Sequence, residues 1–422
     1  MSVIDVLIIV FTCLLFVLFL YQGVYIVMAL THNPPVFEEK KKCRYAFLIS
    51  ARNEANCIGY LVRSIKEQDY PEDLYTIFVC ADNCEDDTAE VARQSGATVY
   101  ERRNEEKQGK GYALDFLIKK IRDDYGLDTY DGYFVFDADN LLEENYITEM
   151  NKLFSNGFRI ITSYRNSKNY DSNWISAASG MWFLREARHL NRGRMLLGIS
   201  CMVSGTGYVV HKDIIKAQDG WQYYKLTEDV EFSVTNILAG ERIAYCGRAV
   251  FYDEQPIHFK DSWNQRLRWT KGFYQILFSK GGQLLAGMFR KGGFVCYDVL
   301  TIISPGLVFF FNCIVMTVLL LLKSDFVPEV FLSLAGWQIL TATVGTYILA
   351  FFLGLLVTVT EWDKIYCSSF QKILYLFTFP VFMLTYVPIA ILALFVDVKW
   401  SHIKHPVAIS KADMLKKWKK SK

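Results

Sequence analysis

The sequence lacks the residue patterns of several common classes of site. Its six histidines form no ligand cluster, and Cys80 and Cys84 have no second cysteine or histidine pair that would complete a zinc site. There is no GxGxxG segment, which counts against a dinucleotide-dependent oxidoreductase, and there is no Walker loop. Heptads, internal repeats and low-complexity tracts are also absent. The net charge of +2 gives no indication of a nucleic-acid partner, and we expect none.

Charged residues are almost missing from the start of the chain. Between Ile4 and Leu30 the only charged residue is Asp5. This stretch is longer than the roughly 20 residues that a spanning helix needs. A secretory signal peptide would have a basic start and a small-residue cleavage site, and neither is present. We therefore expect residues 1–31 to be a retained transmembrane anchor.

A basic cluster follows the expected anchor directly: Lys40, Lys41, Lys42 and Arg44. Such a bias places the next segment in the cytoplasm. Within residues 41–260, short apolar runs alternate with amphipathic stretches, which predicts an α/β domain on a mostly parallel sheet with covered faces. In such sheets, ligands bind beyond the carboxyl ends of the strands. The predicted strands are Tyr45–Ser50, Ile77–Ala81, Tyr133–Phe136 and Arg159–Ser163.

The character of the chain changes after residue 260. Residues 261–294 mix aromatic and aliphatic side chains with Arg and Lys, which indicates helices lying along the membrane surface. Residues 295–398 form an apolar region, and residues 399–422 form a basic tail. The apolar region contains three stretches that are each long enough to span a membrane: Cys296–Leu322, Val330–Thr358 and Ile373–Val396.

These stretches leave a conflict about topology. One span before the predicted α/β domain and three after it would place the carboxyl terminus outside, whereas the lysines of the tail, Lys404 and Lys422 among them, favour the inside. The conflict disappears if one stretch is re-entrant or interfacial. The Ser304-Pro305-Gly306 break marks Cys296–Leu322 as the candidate.

Two carboxylates follow the predicted strand Tyr133–Phe136. In an extended segment, residues i and i+2 point the same way, so Asp137 and Asp139 are predicted to face one hard cation. Mg²⁺ and Mn²⁺ bind carboxylate and phosphate oxygens and can neutralise a departing nucleotide diphosphate. The alternative interpretation is two acidic residues in a turn at the end of a strand.

Thr227-Glu228-Asp229 offers a carboxylate that can take a proton from an attacking hydroxyl. The alternative is a helix N-terminus, with Thr227 as the cap and acids in the first turn. Both interpretations can hold together, because a helix start is a rigid mount for a catalytic acid.

Gln265, Arg268 and Trp269 are spaced i, i+3 and i+4 and share one face of a helix. Arginine is suited to bidentate phosphate contact, and tryptophan offers a flat surface against which a sugar ring can stack. The alternative is an interfacial helix with a snorkelling arginine and an anchoring tryptophan.

Four signatures occur in one order along the chain, and together they resemble the membrane-embedded family 2 glycosyltransferases, which include cellulose, chitin and hyaluronan synthases. The resemblance covers residues 45–272. The signatures are VCADNCEDD at Val79–Asp87, FDADN at Phe136–Asn140, LTED at Leu226–Asp229 and QRLRW at Gln265–Trp269.

The resemblance implies a GT-A type domain that binds a nucleotide sugar, with Asp229 as the catalytic base beside Glu228. It implies that Asp137 and Asp139 hold Mg²⁺ or Mn²⁺. The residues that it places on the nucleotide sugar are Glu54, Asp82, Lys110 and Asp137. The residues that it places at the acceptor and diphosphate end are Gln265, Arg268, Trp269, Ser204, Gly205 and Thr206, although the last three equally fit a simple turn.

The function that the resemblance favours is inverting transfer of a hexose from a UDP-sugar, with UDP-glucose as the leading donor. The expected protein is a multi-pass membrane enzyme with a cytoplasmic catalytic domain. The leading interpretation is a processive synthase that makes and extrudes a β-linked polysaccharide, a β-glucan first. The alternative is a single-sugar transferase acting on a lipid carrier or membrane lipid, and a remote alternative is a non-catalytic membrane subunit or channel. Partner subunits or a homo-oligomer fit either synthase.

Overall fold

The computed structural model describes residues 2–290, 292–399 and 407–421. Its centre is an eight-stranded sheet in the order β3-β2-β1-β4-β7-β6-β8-β5. The strands are β1 (Tyr45–Ala51), β2 (Tyr75–Asp82), β3 (Thr98–Arg102), β4 (Gly132–Asp137), β5 (Leu141–Leu142), β6 (Ile160–Ser167), β7 (Tyr208–His211) and β8 (Ile243–Asp253).

The predicted α/β class is confirmed, and each of the four predicted strands corresponds to a strand of this sheet. Strands β3, β2, β1 and β4 run parallel. β7 is antiparallel to both of its neighbours, β6 is parallel to β8, and β5 is antiparallel to β8. The sheet is therefore mixed, with a parallel half in which the carboxyl ends of β1, β2 and β4 meet at one edge.

Helices cover both faces of the sheet and continue beyond it. Those before the sheet and around it are α1 (Val3–Thr31), α2 (Ile58–Lys66), α3 (Thr88–Gln94), α4 (Lys110–Tyr125), α5 (Tyr146–Phe154), α6 (Trp174–Arg185), α7 (Arg192–Leu196), α8 (Lys212–Ala217) and α9 (Glu228–Leu238). Those after it are α10 (Phe259–Gly287), α11 (Phe294–Ile303), α12 (Pro305–Lys323), α13 (Pro328–Thr360), α14 (Ser369–Leu384), α15 (Tyr386–Phe395) and α16 (Lys411–Ser421).

Aromatic side chains fill the core at the centre of the parallel half. The rings of Phe47 on β1 and Phe134 on β4 stack with centroids 4.8 Å apart, and Phe136 extends the row. All three are completely buried. Removing such a ring typically costs about 3–5 kcal/mol of folding free energy. This packing fixes β1 and β4, and with them the strand end that carries Asp137.

Within the described residues, four helical segments are long and apolar enough to cross a membrane. They are Val3–Thr31, Pro305–Lys323, Pro328–Thr360 and the α14–α15 pair Ser369–Phe395. At one end of this group, Lys323 Nζ lies 2.7 Å from Asp5 Oδ1, so α1 and α12 run in opposite directions.

The Ser304–Pro305 break separates α11 from α12 without removing a candidate span. Asp298 on α11 forms a buried ion pair with Arg194 of the catalytic domain, Arg194 Nε lying 2.7 Å from Asp298 Oδ2. Tyr25 of α1 donates its hydroxyl to the same carboxylate at 3.0 Å. The first apolar stretch after the catalytic domain therefore begins with a short helix that packs on that domain.

The predicted interfacial region is largely one helix, α10, which packs against α9, α11 and α15. In the predicted basic tail, Lys404 and Lys422 lie outside the described residues. The rest of the tail includes α16, which packs against the catalytic domain through Met414 and Trp418.

Candidate active site

The predicted nucleotide-binding residues lie at the carboxyl edge of the parallel strands. Asp82 is the last residue of β2, and its Oδ1 accepts a hydrogen bond from Arg102 at 2.5 Å. Arg102 ends β3 and is the register partner of Asp82, and both side chains are buried. Burial raises the pKa of Asp82, while Arg102 opposes the rise. Glu54 and Asp82 line one cavity. The Glu54 carboxylate accepts a hydrogen bond from the Cys57 thiol at 3.0 Å.

Arg102 was not singled out from the sequence. Its partner is 20 positions away, and only the parallel register of β2 and β3 brings the two together. The guanidinium also donates to the carbonyl of Lys107 at 2.7 Å, in the loop that leads to Lys110. Arg102 therefore ties the Asp82 carboxylate to the start of α4.

Lys110, one of the predicted nucleotide-binding residues, contacts the predicted metal carboxylate Asp137. It is the first residue of α4, and its ammonium group forms an ion pair with Asp137 and donates to the carbonyl of Gly205 at 2.7 Å. The preceding Gly109 has φ of +125°, a left-handed region that favours glycine. The glycine is thus required for the turn that aims Lys110 into the cavity.

The prediction that Asp137 and Asp139 point the same way as strand residues is wrong in its geometry. β4 ends at Asp137, and Asp139 lies in the turn that follows. Asp137 is partly exposed to the cavity, whereas Asp139 is 5% exposed and its Oδ2 accepts the backbone N–H of Glu254 at 2.9 Å. Both residues nevertheless line the same cavity.

These two carboxylates fit a metal ion that shares its coordination with a ligand. Among the described residues, no group of three or more His, Cys, Asp or Glu side chains is arranged to hold a metal. Mg²⁺ is commonly held by one or two carboxylates together with substrate phosphates and water. The donor set therefore fits a cation that binds together with a diphosphate, rather than a closed protein cage.

The predicted catalytic base, Asp229, and its neighbour Glu228 lie at the start of α9. Glu228 and Asp229 are half-buried on the cavity wall. Burial raises the pKa of both carboxyls; Asp229 adds to the rise at Glu228, and Lys110 opposes the rise at both. Thr227 is the N-cap residue of this helix, as predicted, but its side chain makes no capping hydrogen bond.

The Ser204-Gly205-Thr206 segment lies between the predicted metal carboxylates and the predicted base. Thr206 Oγ1 accepts the backbone N–H of Asp137 at 2.9 Å. A Cβ on Gly205 would lie 3.9 Å from Asp229 Oδ2, and its φ of +81° favours glycine. All of the predicted site residues line the cavity except Thr206, which lies behind its wall and contacts the backbone of Asp137.

Gln265, Arg268 and Trp269 lie on α10 and all face the cavity. Burial lowers the pKa of Arg268, while Glu228, Asp137 and Asp229 oppose this shift. Arg268 has no ion-pair partner within hydrogen-bonding distance among the described residues, so its charge is available to a bound anion. The Trp269 ring packs edge-on against Phe183 with centroids 6.0 Å apart.

Arg165 is a second residue that sequence reasoning missed. It forms an ion pair with Asp253 at the end of β8 and donates to the carbonyl of Ser204 at 2.9 Å. Its guanidinium lies 3.6 Å above the Phe183 ring. Arg165 thereby braces both the Ser204 segment and the ring that contacts Trp269.

One cavity of about 630 Å³ contains these groups and continues toward the apolar helices. Its polar end is lined by the predicted nucleotide-binding residues and the carboxylates described above. Its other end is lined by apolar side chains from the candidate spans, including Phe19, Phe309, Val387 and Ala390. The site therefore connects a charged pocket to a surface that would lie at the membrane.

The sheet and this cavity define a glycosyltransferase of the GT-A fold. The family model described as glycosyltransferase like family 2 matches residues 43–272, and the chain belongs to this family. The chain is therefore a glycosyltransferase.

Curated relatives include a probable glycosyltransferase and two synthases. The probable glycosyltransferase YdaM of Bacillus subtilis is 24% identical over 420 residues, covering 93% of each chain. The beta-monoglucosyldiacylglycerol synthase of Synechocystis is 23% identical over 234 residues, which is 54% of this chain and 47% of that enzyme. The poly-beta-1,6-N-acetyl-D-glucosamine synthase of Staphylococcus aureus is 23% identical over 236 residues, 55% of each. The chain thus spans about half of the length of these two synthases.

Among solved structures, the mannosyltransferase PcManGT from Pyrobaculum calidifontis, determined in complex with GDP-Man and Mn²⁺, superimposes with a TM-score of 0.58. It is 15% identical and covers 86% of this chain and all of its own. At this identity, the likeness concerns the fold.

Proposed function

We propose that the chain is an inverting membrane glycosyltransferase that transfers a hexose from a UDP-sugar to a hydroxyl presented from the membrane side. The observation that carries this proposal is the single cavity, which joins Asp82 and Lys110 at one end to Asp229 at its centre and to apolar membrane helices at the other. An arrangement of this kind suits a soluble charged donor and an acceptor that arrives from the bilayer. The catalytic domain would lie in the cytoplasm, where nucleotide sugars are available.

In the proposed reaction, Asp229 takes the proton of the acceptor hydroxyl as that oxygen attacks the anomeric carbon. The bond between the sugar and the diphosphate breaks on the opposite face, and its electron pair leaves with the nucleotide. Arg268 and Lys110 stabilise the negative charge that develops on the diphosphate. Glu54 and Asp82 position the nucleotide, and Trp269 offers a face to the acceptor sugar.

Asp137 and Asp139 would hold Mg²⁺ or Mn²⁺, which supplies charge compensation to the leaving diphosphate. The Mn²⁺ in the complex of the similarly folded PcManGT supports this assignment. The donor of that enzyme is GDP-Man, so the donor base requires a direct test.

The leading product is a β-linked polysaccharide, a β-glucan first. The Gln265, Arg268 and Trp269 signature lies on the cavity wall near the base, where it can hold a growing chain. The similarity to a poly-N-acetylglucosamine synthase supports a polymer as the product.

A glycolipid is the second candidate product. The apolar lining of the membrane end of the cavity favours it, because a lipid acceptor could keep its tails among Phe309, Val387 and Ala390. The similarity to beta-monoglucosyldiacylglycerol synthases supports the same candidate. The non-catalytic alternative is not retained, since the chain belongs to an enzyme family and every predicted carboxylate faces one cavity.

The test uses the purified full chain in nanodiscs with Mn²⁺ or Mg²⁺ and a panel of radiolabelled UDP-sugars, with GDP-mannose included. Products are sorted into high polymer and organic-soluble lipid, and polymer is digested with linkage-specific glycanases. Polymer from a UDP-hexose supports the leading proposal, and label confined to the lipid fraction supports the second. Incorporation from GDP-mannose alone would overturn the assignment of the donor.

A further inference from the structure

The last helix of the described chain is clamped onto the catalytic domain. Met414 of α16 is completely buried, and Trp418 is 3% exposed. Both pack in a small apolar cluster with Leu141 of β5 and Tyr252 of β8. Leu141 and Tyr252 are also register partners in the β5–β8 pairing. The helix therefore covers the point where these two strands meet.

Two further contacts tie α16 to its surroundings. Lys417 Nζ lies 2.8 Å from Asp171 Oδ2 of the catalytic domain. The Trp418 ring stacks on Tyr366, which belongs to the connection between α13 and α14. The helix thus joins the catalytic domain to the base of the apolar helices.

The two strands under α16 lead directly to the predicted metal carboxylate. Leu141 lies two residues after Asp139, and Tyr252 lies two residues before Glu254. The backbone N–H of Glu254 donates to Asp139 Oδ2 at 2.9 Å. In turn, Glu254 Oε1 accepts the backbone N–H of Val407, four residues before α16, at 2.9 Å.

The buried Lys168 side chain contacts both Glu254 and Asp139. Its Nζ lies 2.9 Å from Glu254 Oε2 and donates to the backbone carbonyl of Asp139 at 3.0 Å. The side chains of Lys168 and Glu254 are 2% and 1% exposed. Displacing Glu254 would leave a buried ammonium group without its counter-charge, which is costly. The position of Asp139 is therefore coupled to the position of Glu254.

We propose that the segment from Val407 to Ser421 is a positioning element for the metal-binding carboxylate Asp139. It acts by holding Glu254 and by clamping the β5–β8 pair. This inference rests on the proposed function, in which Asp139 holds Mg²⁺ or Mn²⁺. When the segment is docked, Asp139 is held in place for the cation; when it is displaced, cation affinity falls while the rest of the nucleotide pocket stays intact.

The experiment measures Mn²⁺ binding by electron paramagnetic resonance, in the presence of UDP, on the full chain in nanodiscs. Trp418→Ala removes the clamp, and Lys416→Ala is the matched control, since Lys416 is 75% exposed on the same helix. Loss of an outer-shell contact typically weakens metal binding about 10–100-fold. We expect Trp418→Ala to weaken Mn²⁺ binding at the low end of that range, Trp418→Phe to retain most of the affinity, and Lys416→Ala to match the parent.

A second variant guards against a general loss of structure. Val407→Pro removes the N–H that Glu254 accepts and leaves the apolar face of α16 unchanged. Affinity for UDP without metal is measured on the same samples, and parental values show that the pocket is folded. We expect Val407→Pro to weaken Mn²⁺ binding severalfold with UDP affinity unchanged.

Asp139→Asn distinguishes a failure of the metal assignment in the proposed function from a failure of the role proposed here for the carboxyl-terminal segment. If Asp139→Asn binds Mn²⁺ like the parent, the metal assignment in the proposed function is wrong. If Asp139→Asn loses Mn²⁺ while folded Trp418→Ala and Val407→Pro keep parental affinity, the role of the carboxyl-terminal segment is overturned and the metal assignment stands. If Trp418→Ala loses UDP binding as well, Val407→Pro alone decides the inference.

Discussion

Gly272 of α10 packs directly against Thr227, the residue that precedes Glu228 and Asp229. A Cβ on Gly272 would lie 2.4 Å from Thr227 Oγ1, closer than real Cβ contacts allow. The Thr227 side chain is buried, and its hydroxyl has no hydrogen-bond partner among the described residues. This contact sets the distance between the helix that carries Arg268 and the start of α9.

We predict that Gly272→Ala lowers kcat because the added methyl group pushes α10 away from the base. A misplacement of about 1 Å in an active site can cost about 100-fold, so a loss of at least tenfold is expected. Gly282→Ala is the control, because a Cβ at that position of the same helix meets no atom within 4 Å. Hexose incorporation by the two variants is compared, and equal rates would contradict the proposed contact.

Arg102→Leu is predicted to weaken both folding and donor binding. The substitution leaves the buried Asp82 carboxylate without its cation, and breaking a buried pair on one side typically costs about 3–5 kcal/mol. We expect a lower Tm and a raised KM for the donor. Exposed Arg93, which pairs with Glu101 at the surface, provides a control, and Arg93→Leu should change Tm little. A Tm for Arg102→Leu equal to that of the control would argue against a paired Asp82.

We predict that kcat/KM falls as the pH is lowered, and that this fall begins at a higher pH than it would for a base with the ordinary pKa of an aspartate. Burial raises the pKa of Asp229, and a base acts only when it is deprotonated. The acid limb of kcat/KM should therefore lie above about pH 4, the ordinary range for aspartate. Lys110 opposes the rise in pKa, so Lys110→Gln should move the limb to still higher pH, besides raising KM. An unmoved limb would show that Lys110 acts on the donor alone.

The last apolar segment, Ser369–Phe395, does not reach the end of the apolar helices at which Lys323 pairs with Asp5. Phe395, which ends α15, lies beside Phe310 with ring centroids 6.4 Å apart. Phe310 is only about 8 Å along α12 from Pro305, at 1.5 Å per residue. α12 itself continues to Lys323, which pairs with Asp5 at the start of α1. From this geometry and the docking of α16 we infer that Ser369–Phe395, rather than Cys296–Leu322, is the interfacial or re-entrant stretch.

We therefore predict that the carboxyl terminus lies on the same side of the membrane as the catalytic domain and that the amino terminus lies on the opposite side. In a bacterial host, GFP fused to the carboxyl terminus should fluoresce, and alkaline phosphatase fused there should be inactive. Alkaline phosphatase fused to the amino terminus, behind a cleavable export signal, should be active. Active phosphatase at the carboxyl terminus would show that Ser369–Phe395 crosses completely.

The four strands that could be predicted from the sequence each contain an apolar run, which is shortest in β6, at Ile160-Ile161. β1, β2, β4 and β6 are buried on both faces, so composition alone marks them. β7 has four residues and inserts antiparallel between β4 and β6, a choice set by tertiary pairing. The mixed character of the sheet therefore could not be inferred from local pattern.

The site shows the same division. Asp137, Asp229 and Arg268 stand in short local signatures and could be singled out directly. Arg102 and Arg165 could not, because each acts through a partner brought close by the fold: Asp253, for example, is 88 positions from Arg165. The direction of the Asp139 carboxylate was also out of reach, since the end of β4 at Asp137 depends on the turn that follows.

The most direct test of the account is hexose transfer by Asp229→Asn, measured together with its affinity for UDP and Mn²⁺. Asparagine preserves the shape of the side chain but cannot accept the proton, and loss of general base catalysis typically costs about 10²–10⁴-fold. We predict a loss of turnover in that range with nucleotide and metal affinity close to those of the parent. Turnover at the parental rate would contradict the assignment of Asp229 as the base, and with it the mechanism proposed for this site.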